Sequence, residues 1–343
     1  MEVVSIFLNR ILLAGQKKRA TSLHLSSDSL PIVRVNNQLL EVAGEPVVEH
    51  DLLMGIIKSI LMEDELNVLG EKKEITIAKD LAGDLRFRIN IFKQNNSYSI
   101  SFYYVSKKIK TIKELELPEV LSGIVKQKTG LLVVAGPQGS GRTATSSALV
   151  EEVNSVGGHI VTIEEPIDNI FVRNKALIDQ RQVGRDVKTA DDAIKYCLMD
   201  DVDFVYIGEI RKHFELAFPL AAELASGNAF VLLELNATSS VQVIEKLTTA
   251  LESKYNEEAA RFMLADVLSA IITQKSFFKK PTGKVIAREL MINNAAIQSL
   301  IREGKHFQIE SVIQTSRNEG MISMAKSIED LVSRGVINEN DVY

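Results

Sequence analysis

An apolar run, Leu131–Val134, passes almost directly into GPQGSGRT at residues 136–143, and no other stretch constrains the fold as tightly. Four consecutive apolar residues before a glycine-rich turn predict a buried strand, and the residues after the turn predict a helix. Gly136, Gly139 and Gly141 permit backbone conformations closed to other residues. The amides of such a turn can point inward around phosphate oxygens, and the helix that follows adds its positive N-terminal end. The expected phosphate ligands are therefore Gly136, Gln138, Gly139, Ser140, Gly141, Arg142 and Thr143. A nucleotide with Mg²⁺ is the expected ligand, and the Thr143 hydroxyl is the expected contact to the metal. The usual pattern carries Lys where this chain has Arg142. Arginine keeps the charge but replaces a compact ammonium with a broad planar fork, so binding is expected to survive better than fast hydrolysis. A glycine-rich turn that holds no ligand is the alternative, and the flanking strand and helix weigh against it.

Two acidic clusters follow short apolar strands. Ile160–Ile163 ends in Glu164 and Glu165, and Phe204–Ile207 ends in Gly208 and Glu209. Ligands of an open parallel sheet sit beyond the carboxyl ends of its strands, so both clusters are expected beside the loop. Glu209 is the candidate for polarising an attacking water, and Glu164 for a second acidic role. Either acid alone reads better as a solvated loop residue or a helix cap, and the two together with the loop do not.

The rest of the chain divides by rhythm. Residues 4–20 and 52–69 have helical patterns, and 23–25, 32–35, 74–78, 85–92 and 97–105 read as strands. Arg86, Arg88 and Asn90 alternate with Phe87, Ile89 and Ile91, which places the two sets on opposite faces. A basic, turn-like stretch at 106–118 reads as a linker between domains at 1–105 and 119–343. Beyond it, strands at 131–134, 159–163, 204–207 and 230–233 alternate with helical stretches, which predicts an α/β fold with a mainly parallel sheet. From Asn294 the chain reads as a helical appendix, and Gly335 is a plausible helix stop.

Composition excludes several classes. A net charge of −5 argues against a nucleic-acid partner. No stretch approaches the ~20 apolar residues of a membrane-spanning helix. The opening segment places its basic residues after its apolar ones, unlike a signal peptide, and is expected to form an amphipathic helix. Cys197, the single cysteine, permits no internal disulfide and suits a reducing compartment. His24, His50, His159, His213 and His306 show no ligand spacing, so no zinc site is expected.

Taken in order, the motifs form a recognisable set: SLHL at 22–25, RFRINIFKQN at 86–95, the glycine-rich loop, TIEEPI at 162–167, QRQVGRD at 180–186, DVDFVYIGEIR at 201–211, ITQK at 272–275 and AIQSLIREGK at 296–305. The set resembles the PilT-like ATPases that power type IV pilus retraction, within the type II/type IV secretion ATPase superfamily. The resemblance implies a PAS-like N-terminal domain, a RecA-like P-loop domain and a homo-hexameric ring. It implies ATP held between the two domains, with Glu209 as the Walker B glutamate and Glu164 as the conserved acid of the TIEEPI segment. Arg86 and Arg88 match N-terminal arginines that reach toward a nucleotide and would neutralise transition-state charge. Without the resemblance, the residues themselves read as an exposed polar strand face. The implied partners are an inner-membrane pilus platform protein and a paralogous retraction ATPase, with a cytoplasmic location at the inner face of that membrane.

Departures from the pattern gather at the site. Arg142 replaces lysine, Lys212 stands where aspartate is usual, and Asn228 and Asn236 occupy histidine positions. Tyr103, Lys195, Met199 and Gln298 stand where the pattern has arginine. Two functions therefore compete: a retraction motor, or a weakly active or inactive ring protein that modulates an active paralogue. An assembly or secretion ATPase is a third reading, disfavoured by the chain length and the single cysteine.

Overall fold

A computed structural model describes residues 2–36, 38–279 and 283–341. Residues 1 and 343, which bound the expected domains, lie outside them. The chain forms two compact units: the first runs to Lys108 and also takes in Pro166–Ile170, and the second comprises Ile109–Glu165 and the chain from Phe171.

The first unit is α1 (Glu2–Lys17), β1 (Ser22–Ser26), β2 (Ile32–Val35), β3 (Gln38–Glu41), α2 (His50–Ile60), α3 (Glu63–Lys72), β4 (Glu74–Leu81), β5 (Leu85–Gln94) and β6 (Ser97–Val105). Its six strands form an antiparallel sheet in the order β3-β2-β1-β6-β5-β4. Phe87, Ile89 and Ile91 are buried among Leu23, Leu53, Ile56 and Phe102, as the alternation along β5 predicts. The helix expected over 52–69 is two helices. Leu61 and Met62 are extended at the break. Lys79 Nζ captures the Ile60 carbonyl at 2.8 Å, and Glu65 accepts the Met62 N–H at 2.9 Å, which starts the second helix afresh.

The second unit contains α4 (Val120–Ile124), β7 (Gly130–Ala135), α5 (Arg142–Asn154), β8 (His159–Glu164), β9 (Leu177–Gln182), α6 (Ala190–Cys197), β10 (Phe204–Ile207), α7 (Phe214–Gly227), β11 (Phe230–Leu235), α8 (Ser240–Leu251) and α9 (Glu257–Val267). It continues through β12 (Leu268–Phe278), β13 (Lys284–Ile292), α10 (Ala295–Arg302), α11 (Ile309–Thr315) and α12 (Met324–Ser333). The sheet order is β13-β12-β7-β11-β10-β8-β9, parallel throughout except for the edge strand β13.

Alternate residues of each strand serve opposite layers. Leu131 and Val133 pack with Ile194, Phe218, Ile244 and Leu264, whereas Leu132 and Val134 pack with Leu121, Leu149 and Val153. Strands covered on both faces are largely apolar, which makes β7, β8, β10 and β11 legible in the sequence. The C-terminal helices follow the expected pattern, and Gly335 takes the left-handed conformation (φ +68°) just past α12.

Candidate functional site

The turn between β7 and α5 is built by its glycines. Gly136 has φ +156°, and a β-carbon there would lie 2.6 Å from the Gln274 carbonyl oxygen. Gly141 has φ +90° and begins α5 without any side-chain cap, so the first amides of that helix are left for another acceptor. Ser140 and Arg142 are only 1% and 8% exposed. Ser140 Oγ and Arg142 Nη1 are nonetheless buried atoms without a hydrogen-bond partner among the described residues. Gln138 and Gly139 are exposed at the tip of the turn. Uncapped amides, an unspent hydroxyl and an unspent guanidinium nitrogen form a donor-rich hollow, the kind of surface that nucleotide phosphates complement.

Parallel pairing aligns the strand ends that carry the acids, and of these Glu209 and Glu234 reach the loop's side chains. Ile207 registers with Leu233 and Ile163, and Glu234 registers with Val134. The strand ends of β7, β11, β10 and β8 therefore lie side by side. Glu209, just past β10, accepts from Arg142 Nη2 at 2.8 Å. Glu164 ends β8, is 4% exposed, and accepts from Thr162 Oγ1 at 2.7 Å and Gln180 Nε2 at 3.3 Å. Thr145, one turn into α5, accepts from Gln274 Nε2 at 2.8 Å, which ties the helix to β12.

Glu234 is the residue that sequence reasoning missed. It sits on β11, is 3% exposed, and accepts from Tyr206 OH at 2.7 Å and Thr143 Oγ1 at 3.4 Å. Its Oε2 also lies 4.0 Å from Arg142 Nε. The signal was present: a lone carboxylate in FVLLEL, an otherwise apolar strand. A buried charge needs paired or hydrogen-bonding neighbours, and here they include Tyr206 and the loop's own Thr143 and Arg142.

Arg86 and Arg88 belong to the first unit, where they hold Pro166–Ile170. Arg86 donates to the carbonyls of Asp168 (2.7 Å) and Ile167 (2.8 Å). Arg88 binds the Asp168 carboxylate with two nitrogens, Nε at 2.9 Å and Nη2 more closely. Asp168 is 5% exposed, so this is a largely desolvated pair. No cluster of three or more His, Cys, Asp or Glu side chains among the described residues could hold a metal by itself. A divalent cation would need oxygens from a bound ligand to complete its shell. No helix among the described residues is long and apolar enough to cross a membrane.

Comparison with known proteins supports the same assignment. Residues 4–343 match the family described as Type II/IV secretion system protein. The chain is 31% identical to the type IV pilus retractation ATPase PilT of Pseudomonas aeruginosa, covering 97% of this chain and 96% of that one. It is 26% identical to the type IV pilus ATPase PilU of the same organism, over 95% of this chain and 85% of the relative. The crystal structure of the pilus retraction motor PilT with bound ADP superposes with a TM-score of 0.84 at 28% identity, covering 97% and 95% of the two chains. With a glycine-built phosphate loop on a RecA-like sheet and a match over nearly its full length, the chain belongs to the type II/IV secretion system protein family, as a PilT-like member.

Proposed function

We propose that this chain is an ATP-binding ring subunit acting in type IV pilus retraction, with Mg²⁺ as the companion ion and slow hydrolysis. The observation that carries the reading is the donor-rich hollow at Gly136–Thr143 with Glu209 within bonding distance of its cation. Gly136, Gln138, Gly139, Ser140, Gly141, Arg142 and Thr143 would hold the phosphates, and the Thr143 hydroxyl would contact the metal. Bound Mg²⁺ would neutralise charge on the phosphate oxygens. Glu209 would polarise the attacking water, and Glu164 would serve as the second acid. Arg86 and Arg88 carry the role of charge-stabilising arginines only by resemblance, since both are engaged with residues 167 and 168.

The reading includes a PAS-like domain over 1–105, a linker over 106–118 and a RecA-like domain over 119–343, assembled as a homo-hexamer. It places the ring in the cytoplasm against the pilus platform of the inner membrane. The accessory reading keeps one specific support: Glu209 is bonded to Arg142 rather than free to activate water. In that case the ring would bind nucleotide and modulate a paralogous motor.

Equilibrium ATP binding measured beside phosphate release, for the native chain and for Arg142→Lys, decides between them. The motor reading expects measurable native turnover that rises in Arg142→Lys. Tight binding with no turnover in either protein leaves the accessory function. Absence of ATP binding in both removes the nucleotide reading altogether.

A further inference from the structure

We infer that Glu234 is a positioning residue that makes an arginine workable in this phosphate loop; the inference rests on the nucleotide reading above. A lysine needs no orientation, because its charge is a compact point, but a guanidinium acts through the direction of its edges. The three nitrogens of Arg142 have three different fates. Nη2 is bonded to Glu209 at 2.8 Å, Nε faces Glu234 Oε2 at 4.0 Å, and Nη1 is buried with no partner among the described residues. Two carboxylates thus flank the fork and leave one nitrogen unspent.

Glu234 is itself fixed. Tyr206 OH donates to its Oε1 at 2.7 Å, and the Thr143 hydroxyl leans on its Oε2 at 3.4 Å. Both Tyr206 and Glu234 are buried, on the adjacent strands β10 and β11. A carboxylate sealed at this depth carries a large desolvation cost unless a cation shares the space, and the Arg142 guanidinium comes within 4.0 Å of it. Glu234 and Arg142 therefore form a matched pair, in which the acid tolerates burial because of the arginine and the arginine holds its heading because of the acid.

The sign of one substitution separates this role from a plain charge effect. Removing a negative charge near a phosphate site should strengthen anion binding if charge is all that matters. Losing an orienting partner should weaken it. The test is a double-mutant cycle of Glu234→Gln and Arg142→Lys, reading ADP affinity by calorimetry in EDTA so that metal contacts at Thr143 do not enter. With Arg142 present, Glu234→Gln is expected to weaken ADP binding about tenfold; in the Arg142→Lys background the change should stay within about twofold. Tyr206→Phe, which removes the hydroxyl donating to Glu234, should give a smaller loss with the same dependence on Arg142. It replaces the Glu234→Gln arm if that protein fails to fold. Equal effects in the two backgrounds, or tighter binding in both, overturn the inference while leaving the nucleotide reading intact. No ADP binding by the native chain would overturn both.

Discussion

Arg142 Nη2 lies 2.8 Å from Glu209 Oε2, so the cation of the loop and the acid expected to act on water neutralise each other. Glu209 is 27% exposed and Arg142 9%, which makes the bond partly shielded from solvent. Phosphate oxygens would compete with Glu209 for the guanidinium. Under the nucleotide reading, phosphate binding and the release of Glu209 from Arg142 would then be one event.

Glu209→Gln should therefore separate binding from chemistry. Weakening a charge-assisted hydrogen bond frees Arg142, and such bonds contribute about 1.5–3 kcal/mol. ATP affinity is expected to rise about tenfold, with phosphate release falling to background. Calorimetry and a phosphate-release assay on the same preparation check this. Unchanged affinity would mean that the pair does not compete with nucleotide.

The glycines of the turn predict two different outcomes. In Gly136→Ala the new methyl would meet the Gln274 carbonyl at 2.6 Å, where backbone cannot give way, at φ +156°. A destabilisation of about 1–3 kcal/mol is expected, with loss of nucleotide binding. In Gly141→Ala the obstacle is Ile286 Cδ1 at 2.6 Å, the end of a side chain that can rotate aside, so the cost should be smaller despite φ +90°. Thermal melts of the two variants give the ranking, and a larger loss in Gly141→Ala would contradict it.

Arg88 and Asp168 predict a local effect. Arg88→Ala leaves the Asp168 carboxylate, 7% exposed, without its paired cation, while Arg88 itself is 28% exposed. The cost should be about 1–2 kcal/mol, below the figure for a fully buried pair. Hydrogen exchange should accelerate at Ile167–Ile170 and not along β8. Uniform acceleration through both units would show a global loss of stability instead.

The site was legible where chemistry and geometry coincide in consecutive residues. Gly136, Gly139 and Gly141 follow an apolar strand, and that pattern alone locates the phosphate hollow. Glu209 was legible because a parallel strand must end beside its neighbours. Glu234 was not, because an acid within FVLLEL gains meaning only from Arg142, 92 positions earlier, across an adjacent strand pairing. Strand β9, LIDQRQ, carries no strong apolar run because it is a sheet edge, and only its parallel register with β8 defines it. Pro166–Ile170 falls in the first unit, where Arg86 and Arg88 bond residues 167 and 168; the alternation of the two arginines with Phe87 and Ile89 revealed their face but not what they hold.

His159 provides a pH test away from the nucleotide hollow. Burial lowers its pKa, but hydrogen bonds to Asp179 and to the Asp201 carbonyl, with the charges of Asp179 and Asp200, outweigh it and leave the pKa raised. Asp203 also accepts the His159 backbone N–H at 2.8 Å, so the surroundings are acidic on several sides. A raised folded-state pKa means that the native state binds the proton more tightly than the unfolded chain. The stabilisation is then fully present below the unfolded value of about 6.5 and is lost as pH rises through the higher folded value. Asp179 is 56% exposed, so the ion pair should contribute only about 0.5 kcal/mol. His159→Gln should accordingly lower the melting temperature more at about pH 5.5 than at about pH 8. A gap between the two proteins that is the same at both pH values, or larger at the higher one, would rule out the protonated His159–Asp179 pair as a contributor to stability.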